Sequence, residues 1–381
     1  MESDKRQPYE HGCLLRLMRD VRSEDKMTVA LCTNCGSTKF GTSFPCKECG
    51  CGSTGNSDLD IAFTDHYLTE DTLHGFGQII KCLREQTQDE GVAFWAFMKH
   101  ITEHYPEIMM SETPRRYDAA AQSLLDQTDV PEVMVEDSPR LDTVEDSTPD
   151  AKYMSRVRHH RIECESCGHV HSFAVWSRIN GTANPWLHGM IASGRLFTGR
   201  CRQCGAEQIV PYDTLYLNID NDKPFAIWLR MPDTSLQFRY STPSQEYFDK
   251  LDVSFTLRTV KTPLELAEKI HVFLDGYDDI LVEFIKTTLC FQREIDLTQP
   301  LYYLATKKGL LSGKTMTFGV LGLEGSEEIS YPLSSQKSKL DQIMGKIQPV
   351  IPDLSSEWNC VDRDFVMQML QNNGMMTRLD I

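Results

Sequence analysis

Four Cys-x-x-Cys-Gly motifs constrain the fold of this 381-residue chain more than any other feature. They form two sets along the sequence: Cys32, Cys35, Cys46 and Cys49, then Cys164, Cys167, Cys201 and Cys204. A Cys-x-x-Cys turn brings two sulfurs to one side of the backbone, and two such turns together make a tetrahedral site that suits Zn²⁺. The spacing therefore predicts two zinc ions per chain.

Glycine follows the second cysteine of every motif, at Gly36, Gly50, Gly168 and Gly205. Glycine tolerates a positive φ, which lets backbone N–H groups point at the thiolates. The competing interpretations are redox dithiols and buried cysteines that act as small apolar side chains. A thioredoxin-like dithiol needs a βαβ context that neither neighbourhood supplies. We therefore expect structural metal sites.

A catalytic zinc site is a separate hypothesis, because it keeps one position open for water whereas four cysteines close the shell. Pro45, Cys46 and Cys49 match half of the zinc-deaminase signature, but its upstream His-x-Glu is missing. Cys51 is a spare thiol that we interpret as a loop residue. Core or surface positions are expected for the remaining cysteines, Cys13, Cys82, Cys290 and Cys360.

Membrane and secretory classes are not favoured. No apolar run approaches the roughly 18 residues of a membrane span. The start, MESDKRQPYEHG, lacks the apolar region of a signal peptide. We expect a cytoplasmic protein in which thiols persist as thiols or as metal ligands rather than as disulfides.

The formal net charge of -16 argues against broad nucleic-acid binding, because phosphate attraction needs cations. Residues 152–208 are nevertheless basic, with eight Lys and Arg against three Glu. The candidate partner-binding residues of this basic segment are Arg156, Arg158, Arg161, Arg178, Arg195, Arg200 and Arg202, with Trp176 and Trp186 as stacking platforms. In the alternative, these arginines neutralise zinc-thiolate charge or contact the acidic segment that precedes them.

Compositional breaks predict a multidomain α+β protein. Its expected parts are a zinc ribbon (27–57), a small helical unit (58–128), an acidic linker (129–151), a β-rich zinc-binding domain (152–235) and an α/β C-terminal region of helices plus strand (245–381). The helical unit rests on the helical spacing of Leu73, Phe76, Ile80 and Leu83, and a second helix is expected from Val92 to His104. The linker is inferred from acidic composition, proline and the lack of an apolar period.

Start signals define the C-terminal helices. Thr262, Pro263 and Glu265 supply a hydroxyl N-cap, a proline at the first helical position and the glutamate of a capping box, so a helix is expected to about Leu274. A second helix is expected to open at Asp278 and Asp279. Further on, 314–322 alternates like a strand and 364–371 is helical in pattern. In the β-rich part, Asn221 and Asp222 suit a turn between two strands.

Two groups of titratable residues are weaker candidates. Asp278, Asp279 and Glu283 form a carboxylate cluster, but capping of the helix is the favoured role. Four histidines, at positions 159, 160, 169 and 171, crowd the second cysteine set and are expected to be exposed or to support the ligands. Walker A, Gly-x-Ser-x-Gly and His-Glu-x-x-His motifs are absent from the sequence, which lowers the expectation of a common enzyme class.

The stretch IECESCGHVHSFAVWSRINGTANPWLHGMIASGRLFTGRCRQCG, followed by VPYDTLYLNIDNDKPFAIWL, resembles the CpXC domain of bacteria and archaea. The resemblance continues through 258–286 and more faintly to 361–365, and it leaves 1–150 unassigned. Glu165 stands where the family name implies proline, which should change the stiffness of the turn without removing a ligand. The resemblance implies zinc binding and no particular activity.

Three functions remain open. The first, and favoured, is a non-catalytic, zinc-stabilised adaptor that binds protein partners within a larger bacterial assembly. The second is a nucleic-acid-binding protein that uses the basic segment. The third is an enzyme of unfamiliar type that uses the C-terminal carboxylates, and it would gain support from a pocket that joins them to the zinc domain.

Overall fold

The structure, a computed structural model, describes residues 28–54, 57–108, 119–141, 154–219, 223–241, 243, 247–248, 251, 253–296, 298–309, 313–322, 325–333, 345, 347–352, 354 and 357–374. Cys13, the predicted turn at Asn221 and Asp222, and residues 142–151 of the acidic segment lie outside these ranges. The described residues form a mixed α and β protein. Within these ranges, no helix is both long and apolar enough to cross a membrane.

The chain divides into two compact units. Unit 1 comprises the described residues of Met1–Ser177 together with Gly199–Gln208, and unit 2 comprises Arg178–Thr198 and Ile209–Ile381. The predicted zinc-binding domain, 152–235, is therefore split between the units. Strand β4 (Val170–Asn180) crosses this division, and it pairs with β7 (Thr214–Asn218) only through its last three residues.

Unit 1 combines short strands with helices. Its elements are β1 (Val29–Leu31) and β2 (Thr38–Phe40), which pair antiparallel, the helices α1 (Ser57–Ala62), α2 (Glu70–Gln86), α3 (Glu90–His104) and α4 (Ala119–Gln127), strand β3 (Arg156–Glu163), and the small sheet of β5 (Thr198–Arg200) and β6 (Glu207–Ile209). Caps define the two long helices: Thr69 accepts a hydrogen bond from the N–H of Thr72, and Asp89 accepts from Gly91 and Val92. The predicted helices at 73–83 and 92–104 are confirmed.

The zinc ribbon lies directly on helix α2 instead of forming a separate part. Leu31 N–H donates to the Phe63 carbonyl at 2.9 Å, and Leu31 belongs to the apolar core of the helices. Gly36 and Gly77 touch through their backbones, since a Cβ on either residue would lie 2.2 Å from the carbonyl oxygen of the other. The regions 27–57 and 58–128 thus share one core.

The acidic segment differs from the expected linker over its described part, 129–141. Val133 and Val135 are buried in the core of the helices. Their alternation places two apolar side chains on one face of an extended chain, and burial of that face opposes the loss of chain entropy. Glu136 N–H also donates to Thr72 Oγ1 at 3.0 Å. This part of the segment belongs to unit 1.

A mixed sheet organises unit 2. The end of β4 pairs in parallel with β7 (Thr214–Asn218), β7 pairs antiparallel with β8 (Phe225–Leu229), and β8 pairs in parallel with β9 (Thr256–Val260). Every residue of β7 and β8 is buried, as expected for central strands with apolar sequences. Helix α5 (Leu187–Ala192) and short 3₁₀ turns at Arg195–Phe197, Leu236–Phe238 and Gln348–Val350 connect these elements.

The C-terminal elements confirm the predicted start signals. Helix α6 (Pro263–Leu274) begins at a complete capping box formed by Thr262 and Glu265. Helix α7 (Asp279–Gln292) follows, with Asp278 as its N-cap. Strands β10 (Leu301–Gly309), β11 (Gly313–Gly322) and β12 (Gly325–Pro332) form an antiparallel meander, and helix α8 (Arg363–Asn372) ends the described chain. The strand expected at 314–322 and the helix expected at 364–371 are both present.

Candidate metal centres and a charged pocket

The cysteines of each set converge. In the first set, Cys32 Sγ lies 3.6 Å from Cys49 Sγ and Cys35 Sγ lies 3.6 Å from Cys46 Sγ. In the second set, the corresponding distances are 3.6 Å for Cys164 with Cys204 and 3.7 Å for Cys167 with Cys201. All four sulfurs of each set lie within 4.8 Å of one another. A tetrahedron with bonds of about 2.3 Å has edges of about 3.8 Å, so the spacing fits Zn²⁺.

The same backbone turn presents all four cysteine pairs. The N–H of each first cysteine donates to the carbonyl five residues later, and the following glycine N–H donates back to that cysteine's carbonyl, at 2.8–2.9 Å throughout. The glycines have φ between 72° and 75°, as the sequence predicts. The carbonyl of Cys51 closes the second turn, so this residue has the position of Ser37, His169 and Ala206 in the other turns. Cys51 is a loop residue.

Backbone N–H groups stabilise thiolate charge in these turns. Burial by itself would raise the pKa of Cys164, but hydrogen bonds from the N–H groups of Ser166 and Cys167 lower it to about 7. Burial would also raise the pKa of Cys49, but hydrogen bonds from the N–H of Cys51 and from the side chains of Cys35, Cys32 and Asn34 together lower it to about 7. A four-thiolate site needs such donors, since its ligands carry more negative charge than the metal neutralises.

The donor sets fit zinc in a closed coordination shell. Among the described residues, these two sets are the groups of cysteine, histidine and carboxylate side chains that could hold a metal ion. Four sulfurs complete a tetrahedral shell, so neither set leaves a position for a water or a substrate. Each set is able to hold one Zn²⁺, which gives the chain a capacity of two.

Nearby histidines have a different role from the one expected. The side chain of His159 is only 5% exposed, and it lies 2.6 Å from Asp137 and 3.4 Å from Glu107. Burial opposes its protonation, yet the hydrogen bond to Asp137 and the nearby negative charge of Glu107 raise the pKa of His159 to about 9. His171 is also buried, while His169 contacts Glu132 at 3.1 Å. His159 is therefore an internal cation of unit 1 and lies outside the ligand set.

The arginines of the basic segment are distributed over both units. Arg202, between two ligands of the second set, donates to the His104 carbonyl at 2.9 Å and lies 4.0 Å from the Tyr105 ring centre. Arg161 contacts Glu136 of the acidic segment at 3.3 Å. The others are distributed over both units: Arg156 and Arg158 on β3, Arg178 at the end of β4, Arg195 in a 3₁₀ turn and Arg200 at the end of β5.

The two expected stacking platforms differ in exposure. Trp176 is 2% exposed, so its indole faces are covered by protein. Trp186 is half-buried at the start of helix α5 and belongs to the other unit. Base stacking requires an accessible aromatic face, which Trp176 does not offer.

A protein-family model matches part of this chain. Residues 162–286 match the sequence model of the CpXC protein family. The CpXC match contains the second cysteine set and ends within helix α7, and the N-terminal ribbon lies outside it. A search of curated proteins gave no match, and neither did a search of solved structures.

A buried charge network lies in the C-terminal part of the CpXC match. As predicted, Asp278 caps helix α7 by accepting from the N–H of Ile280 at 2.8 Å. Asp279 instead accepts from Arg258 Nε at 2.8 Å and Arg258 Nη2 at 3.1 Å, and from Lys269 Nζ at 3.2 Å. It is 1% exposed. Although burial opposes ionisation, Lys269 and Arg258 hold its pKa below the usual range.

The network continues through a second lysine. Lys286 Nζ donates to both carboxylate oxygens of Glu268, at 2.9 and 3.0 Å, and to Glu283 Oε1 at 3.0 Å. Lys269 Nζ reaches the same Glu283 oxygen at 3.3 Å. Three cations and three carboxylates therefore balance among the described residues of this cluster. Sequence reasoning missed the three cations.

A pocket of about 220 Å³ opens above this network. We call it the charged pocket; its lining is Thr259, Val260, Glu265, Glu268, Lys269, Glu283, Lys286, Thr298, Gln299, Pro300, Leu301, Tyr302, Cys360, Val361, Asp362, Arg363 and Asp364. All of these residues belong to unit 2, and no cysteine of either metal set is among them. The pocket therefore does not join the carboxylates to the predicted zinc domain at 152–235, an arrangement that would have supported the enzyme hypothesis.

Proposed function

We propose that this chain is a non-catalytic, zinc-stabilised binding protein that acts as an adaptor in a larger bacterial protein assembly. The observation that carries the proposal is the closure of both metal sites by four sulfurs each. A metal in such a site stabilises the fold and has no vacant position for Lewis-acid chemistry. The sites then hold unit 1 in a fixed shape, which is what a binding surface requires.

Two features favour a protein partner over a nucleic acid. The net charge is -16, and the arginines of the basic segment are divided between the units or engaged with neighbouring groups. The ribbon also presents an aromatic pair, Phe40 and Phe44, which are 45% and 55% exposed with ring centres 5.0 Å apart. Exposed aromatic side chains are enriched at the centres of protein interfaces.

The test is recovery of a partner through the ribbon. Cross-linked complexes of the full-length, zinc-loaded protein are purified from its own cells and quantified by mass spectrometry. The double variant Phe40→Ser with Phe44→Ser is compared with Ile209→Ser, which removes an apolar side chain that is 66% exposed elsewhere. We expect a stoichiometric partner with the wild type and with Ile209→Ser, and loss of that partner with the double variant at unchanged zinc content.

The nucleic-acid alternative is tested on the same preparation. Labelled single-stranded RNA and DNA are titrated at about 50 mM salt, where counterion release makes binding strongest. Tight binding that falls steeply with added salt would contradict the adaptor proposal. Equal recovery of partners by both variants would contradict the assignment of the ribbon as the binding surface.

A further inference from the structure

The charged pocket has an unused acceptor at its floor. Glu283 is 3% exposed and lines the pocket. Its Oε1 accepts from both Lys269 and Lys286. Its Oε2 has no hydrogen-bond partner among the described residues of the chain. Because Oε2 is not fully buried, it faces the space of the pocket, where water or a ligand can donate to it.

The two lysines offer nothing further to a ligand. Lys269 Nζ has three acceptors: Asp279 Oδ2, Glu283 Oε1 and the Val361 carbonyl, the last at 2.5 Å. Lys286 Nζ also has three acceptors, which are both carboxylate oxygens of Glu268 and Oε1 of Glu283. An ammonium group has three N–H donors, and both groups are saturated. At the floor of the pocket, Glu283 can therefore accept a hydrogen bond from a ligand, whereas Lys269 and Lys286 have no N–H left to donate.

The remaining charges of the lining make the pocket attractive to a cation. Glu265, Asp362 and Asp364 are acidic, and Arg363 is the one cation of the lining besides the two lysines. Lys261, which is outside the lining, lies 3.9 Å from Asp362 and offsets its charge. Since the six charges of the network balance, Glu265 and Asp364 against Arg363 leave an excess of one negative charge. Asp364 is exposed, so its field reaches an approaching ligand through water.

Geometry narrows the class of cation. A divalent metal is disfavoured because two ammonium groups lie within 3.3 Å of the same carboxylate and a hard cation needs several oxygen ligands. A guanidinium fork pairs best with two adjacent acceptor oxygens, whereas Glu283 offers one. An alkylammonium group is a point charge that satisfies a single oxygen. Val260, Pro300 and Tyr302 supply apolar surface for its methylene stem.

The pocket is too small for a whole cofactor. Its volume of about 220 Å³ is below the roughly 300–1,000 Å³ of typical small-molecule sites. A side chain that enters end-on is the better fit. We propose that the charged pocket binds the side chain of a lysine presented by a protein partner, with the ammonium group donating to Glu283 Oε2. The choice of a protein as the source rests on the proposed adaptor function.

Binding of defined probes by the full-length, zinc-loaded protein tests the proposal. The probes are N-acetyl-lysine methylamide, the uncharged N-acetyl-norleucine methylamide and putrescine, each followed by ligand-observed NMR at low salt. We expect the lysine probe to bind and the norleucine probe not to bind. Binding of putrescine without binding of the lysine probe would overturn the assignment to a protein lysine and indicate a free diamine.

Two variants locate the site. Glu283→Gln should weaken binding of the lysine probe at least tenfold, because it removes the charge of the accepting group. Asp364→Asn, at an exposed position that leaves the buried network intact, should weaken binding about two- to fivefold at low salt and not at high salt. The matched control is Asp233→Asn, an exposed aspartate of unit 2 that is not in the lining.

The outcomes distinguish a failure of the lysine-binding proposal from a failure of the adaptor function. If Glu283→Gln does not fold, the comparison of Asp364→Asn with Asp233→Asn decides. Equal binding by these two variants at low salt, or no binding of the lysine probe by the folded wild type, would overturn the proposal. Binding of the lysine probe together with failure to recover any protein partner would retain the pocket and remove the adaptor function.

Discussion

The hydrogen bonds of Tyr105 give the sharpest test of the structure of unit 1. Its hydroxyl accepts from the N–H of Val133 at 2.9 Å and donates to the Val133 carbonyl at 3.2 Å. Arg202, which lies in the turn between Cys201 and Cys204, donates to the same oxygen. Tyr105 is 2% exposed and Val133 is 6% exposed, so water does not readily replace these contacts. One oxygen thus connects the end of helix α3, the acidic segment and a metal-binding turn.

The substitution Tyr105→Phe keeps the ring and removes only this oxygen. It leaves the N–H and the carbonyl of Val133 without a side-chain partner, and an unsatisfied buried polar group costs about 1–3 kcal/mol. Arg202 retains its contact with the His104 carbonyl and with the ring face. Since about 1.4 kcal/mol corresponds to a factor of ten, the opening of residues 130–137 should become about 5- to 140-fold more frequent.

Hydrogen–deuterium exchange of the full-length, zinc-loaded protein measures this opening directly. Peptides that cover 130–137 should exchange faster in Tyr105→Phe, while peptides of β7 and β8 should keep the wild-type rate. Tyr277→Phe is the matched control, because Tyr277 accepts a hydrogen bond from Thr306 in unit 2. Unchanged exchange at 130–137 in Tyr105→Phe would show that this segment is a linker, as its composition suggests, and would refute the assignment to unit 1.

Two further predictions concern buried charges. His159 has its pKa raised to about 9 by Asp137 and Glu107 against the effect of burial, so its contribution to stability is complete below pH 6.5 and disappears as the pH rises through about 9. The difference in urea midpoint between the wild type and His159→Gln should therefore shrink from pH 6 to pH 10, and a constant difference would contradict a charged His159. Asp279→Asn should destabilise unit 2 by about 3–5 kcal/mol, because it leaves the buried Arg258 without its carboxylate and Lys269 with the carboxylate of Glu283 alone. Asp278→Asn keeps a side chain that can cap the helix, so its free energy of unfolding should be nearly that of the wild type. Thermal unfolding of both variants measures the difference, and equal losses of stability would contradict the buried network.

Local features of the sequence predicted the parts of the fold that depend on short-range geometry. The cysteine turns, the positive φ of Gly36 and the capping box at Thr262 each involve residues within five positions of one another. Spacing alone determines whether such groups can meet. The sulfur sets followed from the same logic, because two Cys-x-x-Cys turns with following glycines are typical of a tetrahedral zinc site.

Contacts between distant residues could not be predicted in this way. His159 meets Asp137 and Glu107, which are far from it in sequence, and no periodicity marks such a contact. The buried half of the acidic segment carried a signal in the alternation of Val133 and Val135, but the acidic composition around them outweighed it.

The helical pattern of the sequence also contained a signal for the charge network. Lys269 follows the buried Leu266 by three residues, which places it on the apolar face of helix α6. Glu283 follows the buried Ile280 by the same spacing in helix α7. A charged residue on an apolar helical face indicates a buried partner, although the sequence does not say which residue that partner is.

The most direct test of the account is the metal content and coordination of the purified protein. Elemental analysis without added metal should give two zinc ions per chain, and X-ray absorption at the zinc edge should show four sulfurs at about 2.3 Å with no nitrogen or oxygen ligand. Cys32→Ser and Cys201→Ser should each lower the zinc content to one. A single zinc ion in the wild type, or an average shell containing a nitrogen or oxygen ligand, would contradict two closed structural sites.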